Sequence, residues 1–221
     1  MRKFNPWPYQ QRMIQFALQH PRCGLFVPMG MGKTSASLAI IDVLKNIFEE
    51  GPALVIAPLA VARNSWPSEV RKWEDFCHLK VSPILGTTKE RIKALHTKAH
   101  IYVINYDNLM WLDSFLTAKN YTWPFPVVIA DESTRLKSFR TRQGSKRAKA
   151  LAKFSNFFKR FIALTGTPSP NGLNDLWGQL WFIDHGERLG KSFTAFHNRW
   201  FRPLQVGANA VSYTHLTLPT T

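Results

Sequence analysis

The sequence predicts an α/β domain with a mainly parallel central sheet and helices on both faces. Three observations carry that expectation. Strand-length apolar runs alternate with longer stretches of helical periodicity along almost the whole chain, as consecutive βαβ units require. Several of the short runs, such as Ala53-Leu54-Val55-Ile56-Ala57 and Val127-Val128-Ile129-Ala130, are apolar without alternation, as strands buried on both faces must be. Three of the runs end in polar segments, and α/β sheets hold their ligands outside the carboxyl ends of the strands.

In chain order, apolar periodicity predicts a helix over Tyr9–His20, a strand over Gly24–Val27 and a helix over Lys33–Phe48 that begins where glycines turn the strand. A strand over Ala53–Ala57 leads to a helix over Ser65–Phe76. Next come a strand over Val81–Leu85, a helix over Lys89–Thr97, a strand over Ile101–Asn105 and a helix over Asn108–Ala118. The prolines of Tyr121–Pro126 impose a non-helical approach to the strand Val127–Ala130. Ser145–Ala152 reads as helix, Arg160–Leu164 as strand and Leu173–Ile183 as helix, with Trp177 and Trp181 four apart on one face as core or as a seam for another domain. The aromatic-rich segment Phe193–Phe201 is expected to share such a seam. Val211–Thr221 carries no charge and no clear period and resembles translated sequencing-adapter sequence. The expected division is therefore a lobe over 1–202 and a truncated linker or artefactual tail over 203–221.

Composition narrows the function. The chain has 221 residues, 45% hydrophobic and 19% charged, enough for one full core and too apolar for disorder. Its longest apolar runs are strand-length, and Met1-Arg2-Lys3 is not followed by the apolar core of a secretory signal. Cys23 and Cys77 supply neither metal-ligand spacing nor a disulfide framework, which fits a reducing cytoplasm. Lysine and arginine outnumber the acids 29 to 14, for a formal net charge of +15. No acid occurs from Ser133 to Asn174, where Arg135, Lys137, Arg140, Arg142, Lys146, Arg147, Lys149, Lys153, Lys159 and Arg160 form a basic block. Such a block attracts polyanions, and a nucleic-acid surface is the expectation.

Two short segments carry the chemistry. Met29-Gly30-Met31-Gly32-Lys33-Thr34 lies between a strand and a helix, where glycine lets backbone N–H groups approach phosphate oxygens and the helix dipole favours an anion. Lys33 reaches the β/γ-phosphates of a nucleoside triphosphate, and Thr34 holds Mg²⁺. Val27 stands where the full phosphate-loop pattern has its first glycine. The second segment ends the strand Val127–Ala130 in Asp131 and Glu132. Asp131 completes the metal site, and Glu132 polarises the attacking water. A third strand end, Ala163-Leu164-Thr165-Gly166-Thr167-Pro168, points at the same crevice.

With these segments in place, the chain resembles the first RecA-like motor lobe of a helicase superfamily two ATPase, and within that group the Swi/Snf family of DNA translocases. The likeness runs from Pro8 to Arg202. Pro8-Tyr9-Gln10 is similar to the family's adenine-recognising segment, which makes Gln10 the base contact. Met29–Thr34 resembles motif I. Val55-Ile56-Ala57-Pro58, with Asn64-Ser65-Trp66 and Glu69–Trp73, resembles motif Ia and the helix behind it. Asp131-Glu132-Ser133-Thr134 resembles the family's Asp-Glu-x-His or Asp-Glu-x-Gln box, with Thr134 replacing the usual fourth residue. Leu164–Pro168 followed by Asn171–Trp177 resembles motif III and its trailing helix.

The resemblance implies a RecA-like P-loop NTPase fold, ATP and Mg²⁺ as ligands, and coupling roles for Thr134, Thr165, Gly166 and Thr167. It places Pro58, Arg63, Asn105, Tyr106, Arg135, Lys137, Arg140 and Arg142 on a face for double-stranded DNA. A second RecA-like lobe in cis would supply arginines that stabilise charge on the transferring phosphate. The expected setting is the cytoplasm of a bacterial or phage-infected cell. Two alternatives remain open: the motor lobe of a single-strand or restriction-type helicase, and a non-catalytic basic nucleic-acid-binding module of the same shape.

Overall fold

Six parallel strands form the centre of the molecule: β1 (Arg22–Phe26), β2 (Ala53–Ala57), β3 (Val81–Ile84), β4 (Ile101–Asn105), β5 (Val127–Asp131) and β6 (Arg160–Thr165), in the spatial order β1-β6-β5-β2-β4-β3. In this computed structural model the described residues are 1–207 and 210–215, with side chains described to Arg202. The connecting helices are α1 (Pro8–Gln19), α2 (Lys33–Asn46), α3 (Trp66–Lys72), α4 (Thr88–His96), α5 (Leu109–Ala118), α6 (Lys146–Ala152), α7 (Asn174–Asp184) and α8 (Phe193–Trp200). Pro83, which has no N–H to give a neighbour, sits in the edge strand β3.

Period-two alternation along each strand divides the core between the two faces. Ala53, Val55 and Ala57 face one way with Leu25, Val103, Ile129, Ile162 and Leu164, and are covered by Met13 and Ala17 of α1, Leu38 and Ile41 of α2 and Trp66 and Val70 of α3. Leu54 and Ile56 face the other way with Ile104, Val128 and Phe161, under Leu112 of α5, Leu151 of α6, Trp177 and Phe182 of α7 and Phe196 of α8. Strands buried on both faces need apolar side chains at every position, which is why these runs lack alternation in the sequence.

The expected strands all form, with ends displaced by up to two residues. The expected helix Ser65–Phe76 does not form as one piece. A π-helical turn over Val61–Ser65 leads into α3, which stops at Trp73 in extended geometry, and a 3₁₀ turn over Glu74–Phe76 follows. The cause is tertiary. Arg2 pairs beside Trp73, donating its N–H to Lys72 O at 3.0 Å and accepting from Glu74 N at 2.9 Å, so the backbone groups that would continue the helix are taken. Phe4 fixes the corner, edge-on to Trp73 and tilted on Phe76, with its N–H donating to Asp75 Oδ2 at 2.6 Å.

The chain end differs from expectation. Phe193–Trp200 is a helix capped by Ser192, whose Oγ accepts from Ala195 N at 3.1 Å. β7 (Phe201–Gly207) and β8 (Ala210–His215) then pair antiparallel, where no element was expected. Residues 208–209 and 216–221 of the expected linker or artefactual tail lie outside the described residues. Trp177 takes the core place expected as one of its two alternatives, Phe196 and Phe201 are also buried within the lobe, and Trp177 Nε1 donates to Gly190 O at 2.9 Å.

Helix α7 meets the turn after β5 backbone to backbone. A Cβ added at Gly178 would fall 2.5 Å from Leu136 O and 2.7 Å from Lys137 O, with no flexible side chain to move aside. Gly178→Ala gains roughly 1 kcal/mol of helix propensity but forces overpacking that costs about 1–3 kcal/mol or more. The expected outcome in urea denaturation is a net loss of about 1–2 kcal/mol of stability; equal or greater stability would show that the contact is slack.

Candidate active site

The parallel register sets the polar strand ends side by side. Phe26 of β1 lies opposite Thr165 of β6, Leu164 opposite Asp131 of β5, Ala130 opposite Ile56 of β2, and Ala57 opposite Asn105 of β4. Val27 N donates to Thr165 O at 3.0 Å, extending the β1–β6 pairing to the start of the glycine loop. Outside these ends an open cleft of about 630 Å³ is lined by Met29, Gly30, Gly32, Lys33, Thr34, Asp131 and Glu132, with Trp7, Tyr9 and Gln10 along its wall. A smaller cleft of about 280 Å³ at the amino ends, beside Leu44, Pro52 and Val127, holds none of the residues quoted for chemistry.

The glycine loop has the backbone its sequence requires. Gly30 and Gly32 both have positive φ, and Gly32 is the left-handed N-cap of α2. As glycine it offers no side-chain acceptor, so no side chain caps the N–H groups opening α2 at the cleft. Lys33 lies across the loop, its Nζ donating to Val27 O at 2.9 Å and Pro28 O at 3.1 Å. Gly166 approaches from β6: a Cβ there would meet Met29 N at 3.2 Å. Thr165 is fully buried, and its Oγ1 accepts from Thr167 N at 3.1 Å, holding the turn that presents Gly166.

The carboxylate turn is built from residues to which the sequence reading gave other roles. Asp131 is only 6% exposed, and its Oδ2 accepts from Nε1 of the fully buried Trp66 at 3.0 Å. Burial pushes its carboxyl above the ordinary range; the Trp66 N–H draws it back, neighbouring Glu132 raises it, and Lys33 lowers it. Glu132 adopts φ 55°, a left-handed conformation that costs a residue with a Cβ about 1–2 kcal/mol. Tyr106 supports it from below, its hydroxyl 2.9 Å from Asp131 O and 3.3 Å from Glu132 O. Tyr106 and Asn105 are therefore buried and do not present side chains to a nucleic acid, contrary to expectation. Burial and the two nearby carboxylates push the Tyr106 phenol well above its ordinary value, so it remains a donor.

Gln10 is at the wall, but its amide is already engaged. Its Oε1 accepts from Trp7 N at 2.9 Å, and its Nε2 lies 3.4 Å from both Gly32 O and Ser35 Oγ. Among the basic candidates Arg63, Arg135 and Arg142 are exposed, and Pro58 and Thr134 are half-buried. Lys137 instead pairs with Asp175 at 3.1 Å, and Arg140 lies 3.5 Å over the Phe193 ring while donating to Lys137 O and Phe139 O. Arg147 pairs with Asp107, Lys153 with Asp113 and buried Arg160 with Glu50. The basic block is thus partly neutralised by acids from elsewhere in the chain.

Residues 9–216 match the SNF2-related domain family. The chain belongs to that family. A relative described as putative protein p41, from Acyrthosiphon pisum secondary endosymbiont phage 1, is 48% identical over 99% of this chain and 49% of its own length. The chromatin remodeling factor mit1 of Schizosaccharomyces pombe is 31% identical over 80% of this chain and 13% of its own. Among solved structures, the Sulfolobus solfataricus SWI2/SNF2 ATPase core in complex with dsDNA superposes with a TM-score of 0.68 at 29% identity, over 90% of this chain and 39% of that one. The SNF2-related chain thus spans about half or less of the length of these relatives, and it has the mainly parallel RecA-like sheet expected of an ATPase core of this family. Among the described residues no helix is long and apolar enough to cross a membrane.

The buried carboxylate has a testable consequence. Because the folded state holds the Asp131 proton to higher pH than the unfolded chain does, ionised Asp131 costs stability at neutral pH, and that cost vanishes once pH falls below the unfolded value. Asp131→Asn, whose amide oxygen still accepts from Trp66, is expected to melt higher than the parent at about pH 7 and to lose that advantage near about pH 4. Calorimetric melting across this range measures it; a variant no more stable at neutral pH would place the carboxylate in a solvated environment.

Proposed function

We propose that this chain is the ATP-binding first lobe of a DNA-dependent ATPase that translocates on, or remodels, complexes of double-stranded DNA. The observation that carries the reading is the union in one cleft of an uncapped helix N-terminus, two left-handed glycines, Lys33, Thr34, Asp131 and Glu132. A cleft of this volume suits a nucleotide. Family membership and the likeness to a core solved with dsDNA support the choice of ATP and DNA.

The residues divide the work. The loop N–H groups from Gly30 to Thr34 receive the phosphates, and Lys33 exchanges its two loop carbonyls for phosphate oxygens, neutralising charge where it accumulates. The donor set fits Mg²⁺: Thr34 offers a hydroxyl and Asp131 a carboxylate, and a hard ion of this size is commonly held by one or two protein oxygens together with substrate phosphates. Among the described residues no cluster of three histidine, cysteine or acidic side chains could hold a metal alone, in keeping with such a shared site. Held by Thr34 and Asp131, such an ion would offset negative charge on the transferring phosphate. Glu132 orients the attacking water and accepts its proton, with the strained turn fixed by Tyr106. Gln10 links the base-side wall to Gly32.

A second lobe in cis would supply arginines to the open side of the cleft, and DNA would lie along the strand ends near Pro58, Arg63, Arg135 and Arg142. The phage-borne relative supports a cytoplasmic site of action in an infected bacterium.

Lys33→Ala is expected to weaken ATP binding by about 10- to 100-fold through loss of charge-assisted bonds, read by titration calorimetry. Glu132→Gln is expected to bind ATP as the parent does while single-turnover hydrolysis falls by about 100-fold or more; intact turnover would remove Glu132 from the role of base. Duplex DNA binding is expected to weaken linearly on a log–log salt plot with little sequence preference. Salt-independent binding, or strong sequence selectivity, would refute the DNA assignment.

A further inference from the structure

Gln179 lies in the middle of α7, outside every segment quoted for chemistry, and is fully buried. A buried carboxamide has two donors and an acceptor to satisfy, and an apolar residue would otherwise be expected on this face. Its three bonds lead in informative directions. The Ser133 hydroxyl, itself fully buried and one residue beyond Glu132, donates to Gln179 Oε1 at 2.9 Å. Gln179 Nε2 donates to Pro168 O at 2.6 Å, in the segment after β6, and to Asp175 O at 2.9 Å within its own helix.

We infer that Gln179 is a positioning residue that couples the carboxylate turn Asp131–Ser133 to the loop Thr165–Pro168. Three features make the coupling rigid. The backbone contact at Gly178 seats α7 directly on Leu136 and Lys137. Asp175 ties the same helix to both sides, its Oδ2 accepting from Lys137 Nζ at 3.1 Å and from Asn171 N at 3.0 Å. At its far end the loop touches the phosphate loop where Gly166 meets Met29 N. A displacement of Glu132 and Ser133 is therefore transmitted through one carboxamide to Pro168, and from there to the backbone beside the phosphates. The polar core here serves communication between two strand ends, and the cost of burying an amide is offset by complete pairing.

The inference rests on the proposed nucleotide site, and the test separates the two. Amide hydrogen exchange of the whole chain is followed with and without Mg-ATP, in the parent and in Gln179→Met, which keeps the length of the side chain and removes its bonds. In the parent, nucleotide slows exchange at 29–34, at 131–137 and at 165–169. In Gln179→Met, the first two responses persist with an affinity within about threefold of the parent, while the response at 165–169 falls by about tenfold or more. A merely structural glutamine would lower stability without uncoupling one segment from the others. Ser133→Ala removes the other side of the bridge with a smaller change, and it decides by the same criterion if Gln179→Met does not fold. A full response at 165–169 in either folded variant overturns the coupling. No slowing at 29–34 in the parent overturns the nucleotide site itself, and the coupling with it.

Discussion

The level alignment of parallel strand ends is the constraint on which this molecule depends. One residue of slip between β1 and β6 would carry the glycine loop away from Gly166 and turn every side chain of the slipped strand to the opposite face. The register is over-determined because both faces are buried: Leu54 and Ile56 belong to one apolar cluster, and Ala53, Val55 and Ala57 to the other. Packing on both sides of the sheet thus fixes, to within a hydrogen bond, which backbone groups meet across the cleft.

Within that frame the site carries tension. Asp131 is kept away from water, where a carboxylate is least comfortable, and Glu132 takes a backbone conformation unfavourable to any residue with a Cβ. Two large buried side chains hold them, Trp66 through its indole N–H and Tyr106 through its hydroxyl. They follow β2 and β4, which lie on the same side of β5, but they belong to opposite apolar layers, so the carboxylates are braced from both faces of the sheet. Pre-set strain and desolvation of this kind sharpen electrostatic interaction with a cationic ligand, because the site need not reorganise when charge arrives.

Much of this was legible in the sequence. Buried strands announce themselves as unbroken apolar runs, and glycines followed by Lys33-Thr34 mark a phosphate loop through backbone requirements that are local. What the sequence could not show were partnerships between distant segments. Trp66 was placed only in a segment resembling motif Ia, because nothing near it in sequence says that its N–H meets Asp131. Tyr106 was placed on a nucleic-acid face by the family resemblance, yet the chain turns it inward. The run of basic residues read as one patch, whereas Asp107, Asp113, Asp175 and Glu50 reach it from other elements. The helix over Phe193–Trp200 left a local signal in its Ser192 cap and the spacing of Phe193, Phe196 and Trp200, obscured by its density of aromatic residues.

The strip from Arg2 to Trp7 gives the cleft two unlike jaws. On the phosphate side stand sheet and helix backbone that open only when the core opens. On the base side, Phe4, Asn5 and Trp7 belong to a segment anchored by a pair of backbone bonds at Arg2, a bond from Phe4 N, ring contacts of Phe4 with Trp73 and Phe76, and local bonds of Pro6 and Trp7 to Gln11 and Gln10. Segments tied so lightly open at far lower cost than a central sheet. On the proposed nucleotide reading, the stiff jaw would govern how firmly a polyphosphate is gripped, while the soft jaw would let the base end of the cleft breathe, making base identity the more forgiving part of recognition.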